Sequence, residues 1–195
     1  MIEELYQNKY RIKSARLPGW NYGADAYYFI TICTYERAHY FGEVLFDDGG
    51  VASVALSEIG KIAWDCWLEI PKHFPFVVLD MFVVMPNHIH GIIVIRKNEQ
   101  KCDDVETQNF ASLHNDGWQP NRFGPQSQNL ASIIRGFKIG VTKYANNNNI
   151  DFKWQSRYYD HIIRDERALR AIRRYIQINS QKWNRDRNNP NNIWM

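Results

Sequence analysis

The 195 residues carry 24 Lys and Arg against 21 Asp and Glu, a net charge of +3, and 45% of them are hydrophobic. That is enough chain for one globular domain with a sizeable core, and the basic excess is too small to mark a nucleic-acid binder by itself. Three cysteines without CxxC spacing argue against a disulfide framework or a zinc knuckle, and the charged start MIEELYQNKYRIK against a signal peptide. No apolar run reaches the roughly 20 residues that span a bilayer. The expectation is a soluble, cytoplasmic protein whose residues 1–195 form a single domain.

Residues 26–34 (AYYFITICT) are aromatic and β-branched and predict a first strand. Residues 42–55, with DDGG at their centre, predict a small hairpin. Ser57 then precedes an amphipathic helix with Ile59, Ile62, Ala63, Cys66, Trp67 and Ile70 on one stripe, ended by Pro71 and Pro75. Residues 76–85 and 88–96 predict two antiparallel strands joined tightly at Pro86 and Asn87. The polar, aperiodic stretch 97–128 reads as a surface insertion.

Leu130, Ile133, Ile134, Phe137 and Val141 mark a second helix to about Tyr144, closed by the asparagine run 146–149. Residues 153–163 predict a fourth strand, and Asp165 caps a third helix reaching about Asn179. The Asn-rich tail 184–195 is expected to pack poorly. The order β-α-β-β-α-β plus one helix is the ferredoxin-like arrangement: an α+β fold with an antiparallel sheet and an extra C-terminal helix. Its first and third strands are central, so the strand opening with His88-Ile89-His90-Gly91 offers a rigid support.

Side chains two apart on a strand share a face, so His88 and His90 are close enough to grip one divalent cation. The plainer alternative is a polar pair at a strand start. On the third helix Leu169, Ile172 and Ile176 form the apolar stripe, and Tyr175 and Asn179, four apart, stack on its flank. From there they can reach a metal held by the histidines; the alternative for Tyr175 is simple packing. A tyrosine hydroxyl attacking a phosphodiester forms a phosphotyrosine and conserves the energy of the cleaved bond. Its pKa of about 10 calls for electrostatic help. Mg²⁺ or Mn²⁺ on His88 and His90 would supply it, with Asn179 offering a hard oxygen as third ligand.

Tyr158 and Tyr159 are weaker nucleophile candidates, because strand alternation sends them to opposite faces and neither has a helical partner. His161 reads as a packing or hydrogen-bonding histidine, and His39, His73 and His114 as surface or loop residues.

HxH on a central strand followed by a helix-borne tyrosine resembles the HUH endonucleases, and most of all the REP-associated tyrosine transposases and related single-tyrosine insertion-sequence enzymes. The resemblance spans about residues 10–190 and rests on an ordered set: RLPGWNY (16–22), YYFITICTYER (27–37), HFPFVVLDMFVVMPNHIHGIIVI (73–95), ASIIRGFKIGVTKY (131–144) and WQSRYYDHIIRDERALRAIRRYIQINSQKW (154–183). It implies that His88 and His90 are metal ligands, that Tyr175 is the nucleophile, and that position 179, often Gln in relatives and Asn here, is the third ligand. It further implies a divalent-metal enzyme, without nucleotide cofactor, that cuts single-stranded DNA beside imperfect hairpins and leaves a 5′-phosphotyrosine. Relatives act as monomers or homodimers.

Arg135, Lys138, Arg157 and Arg164 are the expected phosphate contacts, with solvated charge as the alternative for each. Arg16 and Trp20-Asn21-Tyr22 are candidates for a hairpin clamp. Two competing readings of the whole chain are a catalytically silent DNA-binding protein that keeps the fold, and a metallohydrolase using water at a His-His-Asn site.

Overall fold

The computed structural model describes residues 16–97 and 128–190. The expected insertion therefore lies, but for its two ends, outside the described residues, as do Cys102 and His114. In chain order the elements are β1 (Ala26–Cys33), the hairpin β2 (Gly42–Phe46) and β3 (Ala52–Leu56), α1 (Glu58–Leu68), a short α2 (Ile70–His73), β4 (Val77–Met85), β5 (His88–Ile95), α3 (Leu130–Asn147), β6 (Tyr159–Ile163), α4 (Glu166–Gln177) and a 3-10 segment, Ser180–Arg185. Four strands form one antiparallel sheet in the order β4-β5-β1-β6, and β2 and β3 pair separately. This is the expected α+β arrangement, with β1 and β5 in the middle.

The two faces of β5 are both covered, which is why its sequence is apolar almost throughout and every one of its residues is buried. Ile89, Ile93 and Ile95 point to the main core beneath α1 and α3. Ile92 and Val94 point the other way and pack with Phe29, Ile163 and the α4 residues Leu169 and Ile176. Alternation thus puts His88 and His90 on the α4 side. Gly91 faces α1, where an added Cβ would lie 2.3 Å from the Trp67 ring, so the glycine of HIHG lets that helix approach the sheet.

Local signals set the helix starts. The side chain of Ser57 accepts from Gly60 N, Asn129 and Ser132 form a reciprocal capping box, and Asp165 accepts from Ala168 N. Four features differ from expectation. Pro71 does not end the first helix: α1 stops at Leu68 and Pro71 sits in the first turn of α2. α3 runs on to Asn147, and the turn beyond it contains Asn149 at φ 52. The expected strand over 153–163 is interrupted: Trp154 makes only an isolated bridge to Thr34, Arg157 adopts φ 69, and β6 starts at Tyr159. The tail is not loosely packed as far as it is described, because Trp183, Asp186, Asn188 and Asn189 are buried.

Candidate metal and tyrosine site

The start of β5 brings the two imidazoles together on one face of the strand, with ring centres 4.4 Å apart. Each ring is held by its other nitrogen. Asn87 Nδ2 donates to the carbonyls of Arg37 (3.0 Å) and Asn188 (2.7 Å), so its Oδ1 is left to accept from His88 Nδ1 at 2.8 Å. That bond places the proton on Nδ1 and leaves His88 Nε2 with a free lone pair, buried and without a partner. His90 Nδ1 lies 2.9 Å from Thr31 Oγ1 on β1, and its Nε2 lies 3.1 Å from Tyr175 Oη on α4. Aromatic faces fix the ring planes: Trp183 stacks against His88 and Phe29 against His90.

The third member of the cluster comes from the tail. One ligand atom each of His88, His90 and Asp186 lie within 4.8 Å of one another. Asp186 is oriented by Asn179 Nδ2 at 3.2 Å on Oδ2 and by the Asn188 amide at 2.7 Å on Oδ1. Asn179 follows the end of α4, and its own Oδ1 is buried and unpaired. Sequence reasoning brought out Asn179 and missed Asp186, which sits in a polar stretch with no periodicity. The signal that could have found it is Trp183, a large aromatic immediately before that stretch whose burial draws the following residues onto the fold.

The protonation states suit metal ligation, while the nearby guanidinium charges oppose a cation and Asp186 favours one. Burial above all, helped by the nearby Arg37 and Arg187 guanidinium groups, pushes the His88 pKa down to about 3. Burial and the neighbouring His88 hold His90 well below the usual imidazole range, with Asp186 opposing. Both rings are therefore neutral, which is the ligand form. Two neutral nitrogens, one carboxylate and an orphaned carboxamide oxygen fit a divalent cation, and the nitrogens favour Mn²⁺ over the more strictly oxygen-seeking Mg²⁺. Tyr175 is 37% exposed, so its hydroxyl lies where the buried cluster meets solvent. Burial and the Asp186 charge raise its pKa, while a hydrogen bond from Asn179 and the Arg187 charge lower it.

The competing tyrosines separate as alternation requires. Tyr158 accepts from Arg16 and packs toward the main core, whereas Tyr159 lies edge-on to Phe29 on the α4 side. His161 is exposed, and His39 packs against Trp183.

Of the basic residues expected to meet phosphate, Arg135, Lys138 and Arg157 share one groove of about 710 Å³ along α3 with Arg16 and Lys143. Arg157 lies in the turn before β6 and not on that strand. Lys138 is largely committed to the protein: its Nζ donates to the carbonyls of Gln155 and Arg157 at 2.9 Å each, and burial pushes its pKa down to about 8. Arg164 lies instead in a second groove of about 620 Å³ along β6, which Arg16 also lines. Neither groove includes His88, His90 or Tyr175 in its walls.

A ferredoxin-like domain with a paired-histidine and aspartate cluster facing a helix-borne tyrosine is the class that fold and geometry define. The chain belongs to the same family as an uncharacterized protein of Haemophilus influenzae, to which it is 39% identical over 176 residues, 89% of this chain and 91% of that one. No family model matches the sequence. Among solved structures, a REP-associated tyrosine transposase bound to a REP hairpin superposes with a TM-score of 0.50 over 88% of this chain and 72% of its own, at 16% identity. At that identity the likeness is one of fold. No helix among the described residues is long and apolar enough to cross a membrane.

Proposed function

We propose that this protein is a transposase-like, metal-dependent single-stranded DNA endonuclease and strand-transferase that cuts beside a DNA hairpin through a 5′-phosphotyrosine on Tyr175. One observation carries the reading: a tyrosine hydroxyl 3.1 Å from His90 Nε2, at the mouth of a cluster built from His88, His90 and Asp186. Those three residues would hold Mg²⁺ or Mn²⁺, with the Asn179 carboxamide oxygen as a further donor. The cation would neutralise phosphate charge and ease ionisation of the phenol.

Tyr175 Oη attacks the phosphorus and loses its proton to solvent water, while the P–O3′ bond breaks and the leaving O3′ takes up a proton from water. The phosphate stays on the 5′ end of one fragment, esterified to tyrosine, and the other leaves with a 3′-hydroxyl. Because one phosphoester replaces another, the reverse attack by a 3′-hydroxyl rejoins strands. Burial of both histidines keeps them neutral, and the Thr31 and Asn87 hydrogen bonds keep their Nε2 atoms directed at the shared point. The groove along α3, with Arg16, Arg135, Lys143 and Arg157, suits a phosphate backbone, and Arg164 extends positive charge across the β6 edge. The chemistry of the partner is thus single-stranded DNA carrying a hairpin, bound by a monomer or homodimer.

The test is a 3′-labelled hairpin oligonucleotide with randomised flanks, incubated with protein and Mn²⁺ and run on a denaturing gel. A protein–DNA adduct that disappears in Tyr175→Phe and persists in Tyr159→Phe supports the reading. Cleavage that survives Tyr175→Phe without any adduct indicates a metallohydrolase using water. A second reading, a DNA-binding protein without cleavage, is favoured by the depth of the site, where His88 is 0% and His90 1% exposed. It predicts retention of the oligonucleotide and no adduct from the wild type.

A further inference from the structure

The helix that carries Tyr175 has a small apolar footing. Of its side chains only Leu169 and Ile176 are fully buried, in a cluster of six buried residues that is separate from the main core, with Ala168 and Ile172 packed partly buried beside them. A polar anchor supplements it. Arg173, two residues before Tyr175, grips Asp80 on β4 with the Nε–Nη2 edge of its guanidinium: Nε lies 3.1 Å from each carboxylate oxygen and Nη2 2.6 Å from Oδ2. The Asp80 side chain is only 16% exposed and that of Arg173 39%. Strand geometry prepares the acceptor. The pairing of β4 with β5 is irregular between Leu79 and Phe82, leaving Asp80 and Met81 out of the ladder. As a result Met81 packs into the α4 cluster while its neighbour Asp80 also meets α4, and Asp80 Oδ1 is steadied by the Met81 amide at 2.7 Å.

From this arrangement we infer that Arg173 and Asp80 are positioning residues for Tyr175: the fork on the irregular strand fixes the rotation and seat of α4 on its own sheet, and so holds the tyrosine hydroxyl at His90. A planar, two-point contact is directional and resists rotation of the helix in a way that a short, non-directional apolar stripe does not. Residues on a helix turn by about 100° per position, so a slip of α4 that frees Arg173 also swings Tyr175 away from the histidines. The inference rests on the reading of Tyr175 as nucleophile.

The experiment compares wild type with Arg173→Met, Arg173→Lys and Asp80→Asn. Single-turnover adduct formation with the hairpin oligonucleotide and Mn²⁺ is measured beside affinity for the same DNA in EDTA. Hydrogen exchange of the amides in 169–177 is followed in parallel. Arg173→Met and Asp80→Asn should slow adduct formation by about tenfold to 100-fold, the cost of a misplaced reacting group, with DNA affinity changed less than about twofold. Arg173→Lys should recover part of the rate, since it keeps charge but not the fork. Exchange in 169–177 should quicken while β5 stays protected. Equal adduct rates in wild type and Arg173→Met would overturn the inference and leave Tyr175 as nucleophile. A wild type that forms no adduct removes the nucleophile instead; the anchor is then judged by exchange, and unchanged protection of 169–177 in Arg173→Met overturns it.

Discussion

Tyr175 Oη and His90 Nε2 meet at 3.1 Å although 85 residues separate them, one on a helix flank and the other on the central strand of the sheet. The contact exists because β5 turns its even-numbered residues toward α4, and because α4 ends where the tail folds back with Asp186 and Asn188.

Asp186 is expected to matter to metal binding more than Asn179. Asp186→Ala should weaken Mn²⁺ binding to the DNA-free protein by about tenfold or more, and Asn179→Ala by a smaller factor, since the asparagine orients the carboxylate through its Nδ2. Titration calorimetry reads both. Wild-type affinity in Asp186→Ala would remove it from the donor set.

Asn87 is a stability residue as well as a support for His88. Asn87→Ala strips partners from His88 Nδ1 and from two carbonyls, those of Arg37 and Asn188. Unpaired buried polar groups cost about 1–3 kcal/mol apiece, and relaxation recovers part of that, so a loss of roughly 2–4 kcal/mol is expected. Urea denaturation measures it.

Acid should destabilise the metal-free protein through His88. Its folded pKa of about 3 lies below the ordinary imidazole value of 6.5, so between the two the unfolded chain binds more protons. Stability from this group is complete above about 6.5 and is lost as the pH falls toward about 3. Denaturation midpoints in EDTA should drop from pH 7 to pH 5 more steeply in wild type than in His88→Gln; parallel slopes contradict the assignment.

The α3 groove should behave as a phosphate track. Arg135→Ala and Lys143→Ala should each weaken DNA binding uniformly across sequences and reduce the salt slope of log K by about 1. Lys138→Ala should instead mainly lower stability, because its ammonium serves the Gln155 and Arg157 carbonyls. Fluorescence anisotropy at several salt concentrations separates the two behaviours.

Gly91→Ala should destabilise by about 1–3 kcal/mol, the usual cost of overpacking, because its methyl group would meet the Trp67 ring at 2.3 Å. Thermal unfolding in wild type and variant gives the comparison. No change would mean that α1 shifts freely on the sheet.

The strands, helices and their order were legible because each carries its own period. The aromatic and β-branched runs 26–33 and 88–95 and the stripe of α3 are read off neighbouring residues. The pairing of His88 with His90 was legible for the same reason, being a two-residue relationship on one strand. The stretch 153–163 misled because its aromatics resemble a strand, while Arg157 at φ 69 and the Lys138 contacts break the extended path. Asn179 was visible through its helical spacing from Tyr175.

By itself the sequence determined the α+β order, the face of β5 that His88 and His90 share and the flank bearing Tyr175, all consequences of local patterning. Only the tertiary structure decided that Asp186 completes the cluster, that Asn87 and Thr31 orient the two imidazoles, and that Arg173 seats α4 on Asp80. Asn87 and His88 are neighbours, but the amide that orients the ring is itself fixed by the Asn188 carbonyl 101 positions on; the other contacts join residues 59 or 93 positions apart, or an aperiodic tail to a strand, and no repeat of backbone geometry records such distances in the order of residues.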